Sequence, residues 1–227
     1  MIYKPLRFLF LLAAIAEIIS QLFDWPMIHW VAKPLLLIFL ATYYRQRVSL
    51  PNRFFFLALA FCWAGDVFLL FDHLNAIYFI AGLGSFLVAH LLFIFAYRQL
   101  RFKGTGLNGP QRARFSFPVI LAGTGLVTVL YPKLGELRIP VMIYSLMLTL
   151  MVLNSIFRFG RTSTKSFWLI FIGAIFFMLS DSLLAINKFY QPLNYADVLV
   201  ITTYILAVFF ITDGAIFHTK NGDSDAR

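Results

Sequence analysis

Two aspartates stand inside long apolar segments of the sequence. Asp66 lies in LALAFCWAGDVFLLF, and Asp181 lies in FIGAIFFMLSDSLLA. An ionisable side chain in the middle of a membrane helix costs roughly 2.5–3.5 kcal/mol on insertion scales, so such residues are rare and mark function by default. Two carboxyl groups can divide the roles of proton donor and charge stabiliser. We therefore expect these aspartates to mark a polar reaction site.

Other polar side chains occur in the remaining apolar segments. They are Glu17, Lys33, His90, Tyr144, Ser180 and Tyr204. At 1.5 Å rise per residue, Asp66 and Asp181 lie about 20 Å and about 22 Å from one end of their helices, and Lys33 lies about 9 Å from the opposite end. Glu17 and Tyr144 fall in the same range of depth. This shared depth favours one polar site built from several helices.

Structural roles for these residues stay open at this point. The ammonium group of Lys33 can extend to the membrane surface, and pairing with a cation is one complete account of Glu17, beside a supporting role in the site. His90 is as typical of a packed core as of a proton relay. Tyr144 and Tyr204 can be ordinary packing aromatics. The two aspartates are the residues least consistent with a purely structural role.

The sequence favours no transition-metal site and implies no cofactor. Its histidines show neither His-x-x-x-His nor His-Glu-x-x-His spacing, and Cys62 is the single cysteine. A carboxylate site for Mg²⁺ or Ca²⁺ stays open. The sequence contains no Gly-x-Ser-x-Gly motif, which argues against a serine lipase.

The elements that must position these residues are membrane helices. The chain has 227 residues, of which 61% are hydrophobic and 13% charged, whereas soluble domains carry about 25% charged residues. Apolar runs predict eight transmembrane helices in an all-α polytopic bundle with one transmembrane domain, 1–227. The predicted helices are 6–23, 27–44, 53–71, 76–97, 115–131, 138–157, 166–187 and 195–217.

The loop charges predict an orientation for the bundle. With strict alternation, 15 Lys and Arg residues fall on one side and three on the other, which places both termini in the cytoplasm. This alternation of loops between the two sides requires that the short segment 115–131, which follows the long loop 98–114, crosses the membrane as a fifth helix. The net charge of +9 is spread over short loops and does not indicate nucleic-acid binding. In a bacterium, the chain would lie in the inner membrane.

The order of several short motifs resembles the YhhN family of polytopic membrane proteins, which includes lysoplasmalogenases. The resemblance runs across most of the chain. The matching residues are Lys33-Pro34, Gly65-Asp66 with Leu69-Leu70, Gly82-x-Gly84-Ser85-Phe86-Leu87-x-Ala89-His90, Tyr144, Gly173-Ala174, Ser180-Asp181-Ser182-Leu183-Leu184-Ala185, and Tyr204 with Ala207.

The resemblance implies hydrolysis of the vinyl ether bond of a lysoplasmalogen, a lysophospholipid substrate held within the bilayer. Such a bond is cleaved by protonation of its β-carbon and capture of the oxocarbenium ion by water. Our hypothesis gives the acid and the stabilising carboxylate to Asp66 and Asp181, as in glycosidases. Lys33 would bind phosphate or keep one aspartate ionised. Tyr144, Tyr204 and His90 would position water or headgroup.

Rival interpretations use the same acids differently. A proton-coupled transporter would use them as a relay, although the sequence shows no internal repeat. A membrane protein that binds lipid without turnover is a further alternative. An intramembrane aspartyl protease is disfavoured because Trp63 precedes Ala64-Gly65-Asp66 where that class has glycine.

Overall fold

The apolar segments fold as α-helices, since a helix satisfies its own backbone N–H and C=O groups where lipid offers no partner. The computed structural model describes residues 4–225, and within that range it contains no β-strand. The helices are α1 Lys4–Leu22, α2 Pro26–Arg47, α3 Arg53–Leu70, α4 Ala76–Gln99, α5 Gly109–Leu130, α6 Arg138–Ile156, α7 Thr164–Ala185 and α8 Ala196–Asp225. Two 3₁₀ turns, Tyr131–Lys133 and Gly135–Leu137, join α5 to α6, and a π-helical turn, Ile186–Tyr190, follows α7.

Eight helical segments of the described chain are long and apolar enough to cross a membrane. This finding confirms the predicted all-α fold and its number of helices, and the chain is a multi-pass membrane protein. The cytoplasmic location of both termini and the single domain 1–227 stay predictions. Arg227, one of the cations counted for the orientation, lies outside the described residues.

The fifth helix begins earlier than its apolar segment. The prediction of 115–131 with a loop over 98–114 was wrong, because α5 starts at Gly109. The Asn108 side chain accepts the Gln111 N–H at 2.9 Å, and the Gln111 side chain accepts the Asn108 N–H at 3.1 Å. This capping box starts a helix among polar residues, and α5 is therefore a full 22-residue helix.

Two other helices extend three or more residues beyond their predicted ends. The second helix was predicted to end at residue 44 and continues to Arg47, with Arg45 and Arg47 in its last turn. Cations there interact favourably with the negative end of the helix dipole. The eighth helix was predicted to end at residue 217 and continues to Asp225. Apolar runs define the span in lipid, and a helix can continue past it into polar sequence.

The chain divides into two compact units, Met1–Ala96 and Tyr97–Arg227. In the first unit, α1 packs on α2, and α2 packs on α3. The α3 and α4 helices meet where Gly82 faces Leu69. This unit carries Glu17, Lys33, Asp66 and His90.

In the second unit, α5, α6, α7 and α8 pack in chain order, and the contact between α7 and α8 is the most extensive. Gly173 of α7 is essential to this contact. A Cβ atom at that position would lie 2.8 Å from the carbonyl oxygen of Ala207 and 2.7 Å from Cγ1 of Ile211. The absence of a side chain lets the two helix backbones approach closely. This unit carries Tyr144, Ser180, Asp181 and Tyr204.

Candidate functional site

A tyrosine and an aspartate meet inside the second unit. The Tyr144 hydroxyl of α6 donates a hydrogen bond to Oδ2 of Asp181 on α7 at 2.7 Å. Tyr144 is six residues into α6 and Asp181 is four residues before the end of α7, so both lie about 6–9 Å inside the span. Both side chains are half-buried. The pair joins two of the predicted site residues.

Two further predicted residues of this unit take backbone or packing partners. The Ser180 hydroxyl is buried and donates to the carbonyl oxygen of Val200 on α8 at 3.0 Å. The Tyr204 ring is buried and packs edge-on against Phe177 with ring centroids 5.6 Å apart. Ser180 therefore ties α7 to α8 directly before Asp181 and fixes the rotation of α7 at the aspartate.

The backbone changes its helical winding just after the aspartate. The π-helical turn Ile186–Tyr190 begins five residues beyond Asp181. Asn187 stabilises the return of the chain, since its side-chain oxygen accepts the Leu193 N–H at 2.9 Å. Such π-helical turns occur frequently at functional sites. They place polar backbone groups near the end of the span at which Tyr144 and Asp181 lie.

The first unit holds a separate polar cluster around Glu17 of α1. Glu17 is fully buried, and its Oε1 atom lies 2.8 Å from Nδ1 of His29 on α2. Gln21 donates to Oε1 at 3.3 Å and also lies 2.8 Å from the same histidine nitrogen. The Ser20 hydroxyl lies 3.4 Å from Oε2. The buried carboxyl group is thus satisfied by neighbours from both helices.

His29 is the residue that sequence reasoning missed in this cluster. It lies in the first turn of the predicted helix 27–44, and its spacing to the other histidines indicates no metal site. The available signal was spacing, because His29 precedes Lys33 by one helical turn and therefore shares its face of α2. Lys33 is half-buried on that face.

Asp66 and His90 lie on the buried faces of their helices. Asp66 is 2% exposed and follows Cys62 by one turn on the buried face of α3. His90 is fully buried on α4, one turn after buried Phe86. Both positions are inside the first unit, as expected of polar residues that avoid lipid.

Among the side chains that the structure describes, those of residues 5–219, no group of three His, Cys, Asp or Glu lies close enough to hold a metal ion.

Comparison with known proteins identifies the family. The YhhN family matches residues 28–215, which include Asp66, Tyr144 and Asp181 but not Glu17. The chain belongs to the YhhN family. The resemblance seen in the motifs is thereby confirmed.

Several curated relatives are named lysoplasmalogenase. The chain is 30% identical to human lysoplasmalogenase TMEM86B over 138 residues, which are 61% of this chain and 54% of that protein. It is 34% identical over 152 residues to lysoplasmalogenase from Mycobacterium bovis, covering 65% of this chain and 55% of the relative. Human lysoplasmalogenase TMEM86A is 29% identical over 167 residues, covering 71% and 64%.

These matches span little more than half of the length of the first two relatives. No solved structure matches this sequence.

Proposed function

We propose that this YhhN-family chain hydrolyses the vinyl ether bond of lysoplasmalogens within the membrane. The hydrogen bond from Tyr144 to Asp181 carries this proposal, because it holds a carboxyl group in one orientation inside a membrane span. The names of its relatives supply the substrate class. The products would be a fatty aldehyde and a glycerophospho-ethanolamine or glycerophospho-choline.

The reaction requires one proton donor and one water molecule. The donor protonates the β-carbon of the vinyl ether, the double bond is lost, and an oxocarbenium ion forms at the carbon next to oxygen. Water adds to this carbon and releases a proton, which gives a hemiacetal. The hemiacetal then breaks its bond to the glycerol oxygen. Its hydroxyl group loses a proton and becomes the aldehyde carbonyl, while the glycerol oxygen takes up a proton and leaves as an alcohol. One carboxyl group can donate and recover the proton over this cycle.

Asp181 supplies one carboxyl group in this scheme, and Tyr144 is its positioning residue. The hydroxyl bond to Oδ2 holds the plane of the carboxyl group in one orientation. The assignment of the second carboxyl group to Asp66 rests on its burial in α3 and stays a hypothesis. The roles of Lys33, His90 and Tyr204 in binding headgroup or water stay hypotheses as well.

The surroundings of the pair suit a lipid substrate. Exposed apolar side chains flank both residues, with Ile143 and Leu146 on α6 and Leu179 on α7. The half-buried pair thus borders a face on which a fatty chain would lie. A lysolipid would approach laterally from the bilayer and keep its polar headgroup near the membrane surface.

The test is aldehyde release from a lysoplasmalogen by the purified full-length protein in detergent. We expect Asp181→Asn and Asp66→Asn to lose at least 99% of the activity, since loss of a catalytic acid or stabilising carboxylate costs about 10²-fold or more. Asp197→Asn is the matched control, because it removes an exposed carboxylate from the first turn of α8. Circular dichroism and size-exclusion chromatography establish that each variant is folded.

The possible outcomes separate the mechanism from the function. Full activity in Asp181→Asn would overturn the role of that aspartate, and full activity in Asp66→Asn would leave Asp181 as the only acid of the two. A folded wild type that releases no aldehyde would overturn vinyl ether hydrolysis. Substrate-driven flux in sealed vesicles would then favour a transporter.

A further inference from the structure

Two loops of the second unit lie at the end of α7 that is farther from Asp181, and hydrogen bonds join them to each other. The first loop, residues 100–108, joins α4 to α5, and the second, residues 157–163, joins α6 to α7. The Phe102 N–H donates to the carbonyl oxygen of Arg161 at 2.7 Å. Buried Arg158 donates from Nε to the carbonyl oxygen of Leu100 at 3.0 Å. We refer to these segments as the paired loops.

Arginine side chains converge beside the paired loops on one neutral oxygen. Arg98 donates from Nε, and Arg101 donates from Nη2, to Oδ1 of Asn154, both at 3.2 Å. Arg101 also donates to the backbone carbonyl of Asn154 at 3.1 Å. Asn154 is buried, and its side-chain Nδ2 donates a hydrogen bond to the carbonyl oxygen of Leu150 at 2.8 Å. Two cations therefore share an acceptor that carries no charge.

The charges around Arg101 are all of one sign. Burial, followed by the charges of Arg161, Arg98 and Arg112, lowers the pKa of Arg101 to about 10. Arg101 thus remains a cation at neutral pH although three guanidinium groups repel it. The sequence contains no Asp or Glu between residues 73 and 135 or between 137 and 180.

One donor of this cluster lacks an acceptor within the described part of the chain. The Nε atom of Arg161 is buried and has no hydrogen-bond partner there. The same side chain lies against Gly106, where an added Cβ atom would be 2.7 Å from Nε. Gly106 therefore leaves room for the Arg161 guanidinium group, which is held among like charges with a donor unused.

We propose that Arg98, Arg101, Arg112 and Arg161 bind the phosphate group of an anionic phospholipid. The guanidinium fork matches two oxygens of a phosphate, and an anion would offset the mutual repulsion of the four cations. Arg98 and Arg112 are exposed at the ends of the membrane spans Ala76–Gln99 and Gly109–Lys133. This is the depth at which lipid headgroups lie, and clustered cations there attract anionic lipids.

This lipid site is distinct from the proposed reaction site. Asp181 is 17 residues along α7 from Thr164, which places it about 25 Å from the paired loops along the helix axis. A lipid held by the arginines would therefore be a bound ligand of the protein and not the molecule undergoing hydrolysis. The proposal does not depend on the reaction.

The test compares two double variants of the full-length protein in detergent by native mass spectrometry with phosphatidylglycerol and phosphatidylcholine. Arg98→Gln/Arg161→Gln removes two cations of the cluster. Lys103→Gln/Arg114→Gln is the matched control, because it removes two exposed cations from the same stretch of chain and leaves the cluster intact. We expect the affinity for phosphatidylglycerol to fall roughly twentyfold in the first variant and less than about threefold in the control. A second arm measures the shift of the melting temperature by inorganic phosphate.

Each outcome bears on the proposal. Preferential binding of phosphatidylglycerol over phosphatidylcholine, lost in the cluster variant alone, supports it. Equal loss in both double variants would overturn a built site in favour of diffuse positive charge. Stabilisation by inorganic phosphate without any preference among lipids would keep the arginines as a phosphate site and overturn the lipid as its ligand. If the cluster variant fails to fold, Arg98→Gln alone replaces it, because this change removes an exposed side chain that donates to Asn154.

Discussion

The Tyr144 hydroxyl lies 2.7 Å from Oδ2 of Asp181, so that a side chain of α6 sets the orientation of a carboxyl group on α7. The two residues are 37 positions apart in the sequence. Because Tyr144 acts through Asp181, its removal should alter the rate of the reaction and leave substrate binding nearly unchanged.

Tyr144→Phe is therefore expected to lower kcat about tenfold, since loss of one hydrogen bond to a carboxyl group costs about 1.4 kcal/mol. Steady-state aldehyde release gives kcat and KM separately. Tyr190→Phe is the control, because it removes an exposed hydroxyl from the same unit. An unchanged kcat in Tyr144→Phe would show that the hydrogen bond has no part in the reaction.

Glu17→Ala should destabilise the protein by about 2 kcal/mol or more. The change removes a fully buried acceptor and leaves His29 and Gln21 without their carboxyl partner. Unfolding in SDS, followed by circular dichroism, measures the loss. Glu136→Ala alters an exposed acid and should change stability by less than about 0.5 kcal/mol. Equal stability of the two variants would argue against the cluster as a structural element.

Gly173→Ala should destabilise the contact between α7 and α8 by roughly 1–3 kcal/mol. The added methyl group would meet the Ala207 carbonyl oxygen and the Ile211 side chain at less than 3 Å. Gly125→Ala in α5 is the matched control, since nothing lies within 4 Å of a Cβ atom there. That variant should gain about 0.5–1 kcal/mol from the higher helix propensity of alanine. The same unfolding measurement compares them, and opposite signs are expected.

Arg158→Lys should cost about 2 kcal/mol although it keeps the charge. Arg158 is fully buried and donates to Leu100, Thr162 and Ser166, which lie in different directions around its guanidinium plane. Burial lowers the pKa of Arg158 to about 9, so the group is still a cation at neutral pH. An ammonium group cannot reach the three partners together.

Thermal unfolding measures this loss against Arg114→Lys, an exposed change of the same chemistry in α5. The control should shift stability by less than about 0.5 kcal/mol. A variant Arg158→Lys as stable as the control would show that charge alone, and not the guanidinium geometry, is needed at this position.

The apolar pattern of the sequence does not predict where α5 begins. The apolar run begins near residue 115 and led to a predicted start there, whereas the helix begins at Gly109. Its first turns are polar and are fixed by the Asn108–Gln111 capping box, which is a local hydrogen-bond signal. Hydropathy indicates the part of a helix that lies in lipid, whereas capping residues indicate where the helix begins.

The sequence by itself determined the eight apolar spans and the all-helical fold, because lipid forces each apolar segment to satisfy its own backbone hydrogen bonds. The order of its short motifs determined the family. It also marked Asp66 and Asp181 as polar residues within spans. Only the tertiary structure decided that Tyr144 is the partner of Asp181 and that His29 is the partner of Glu17. Such partners depend on the rotation and depth of packed helices, which side-chain contacts between helices set and which local sequence does not encode.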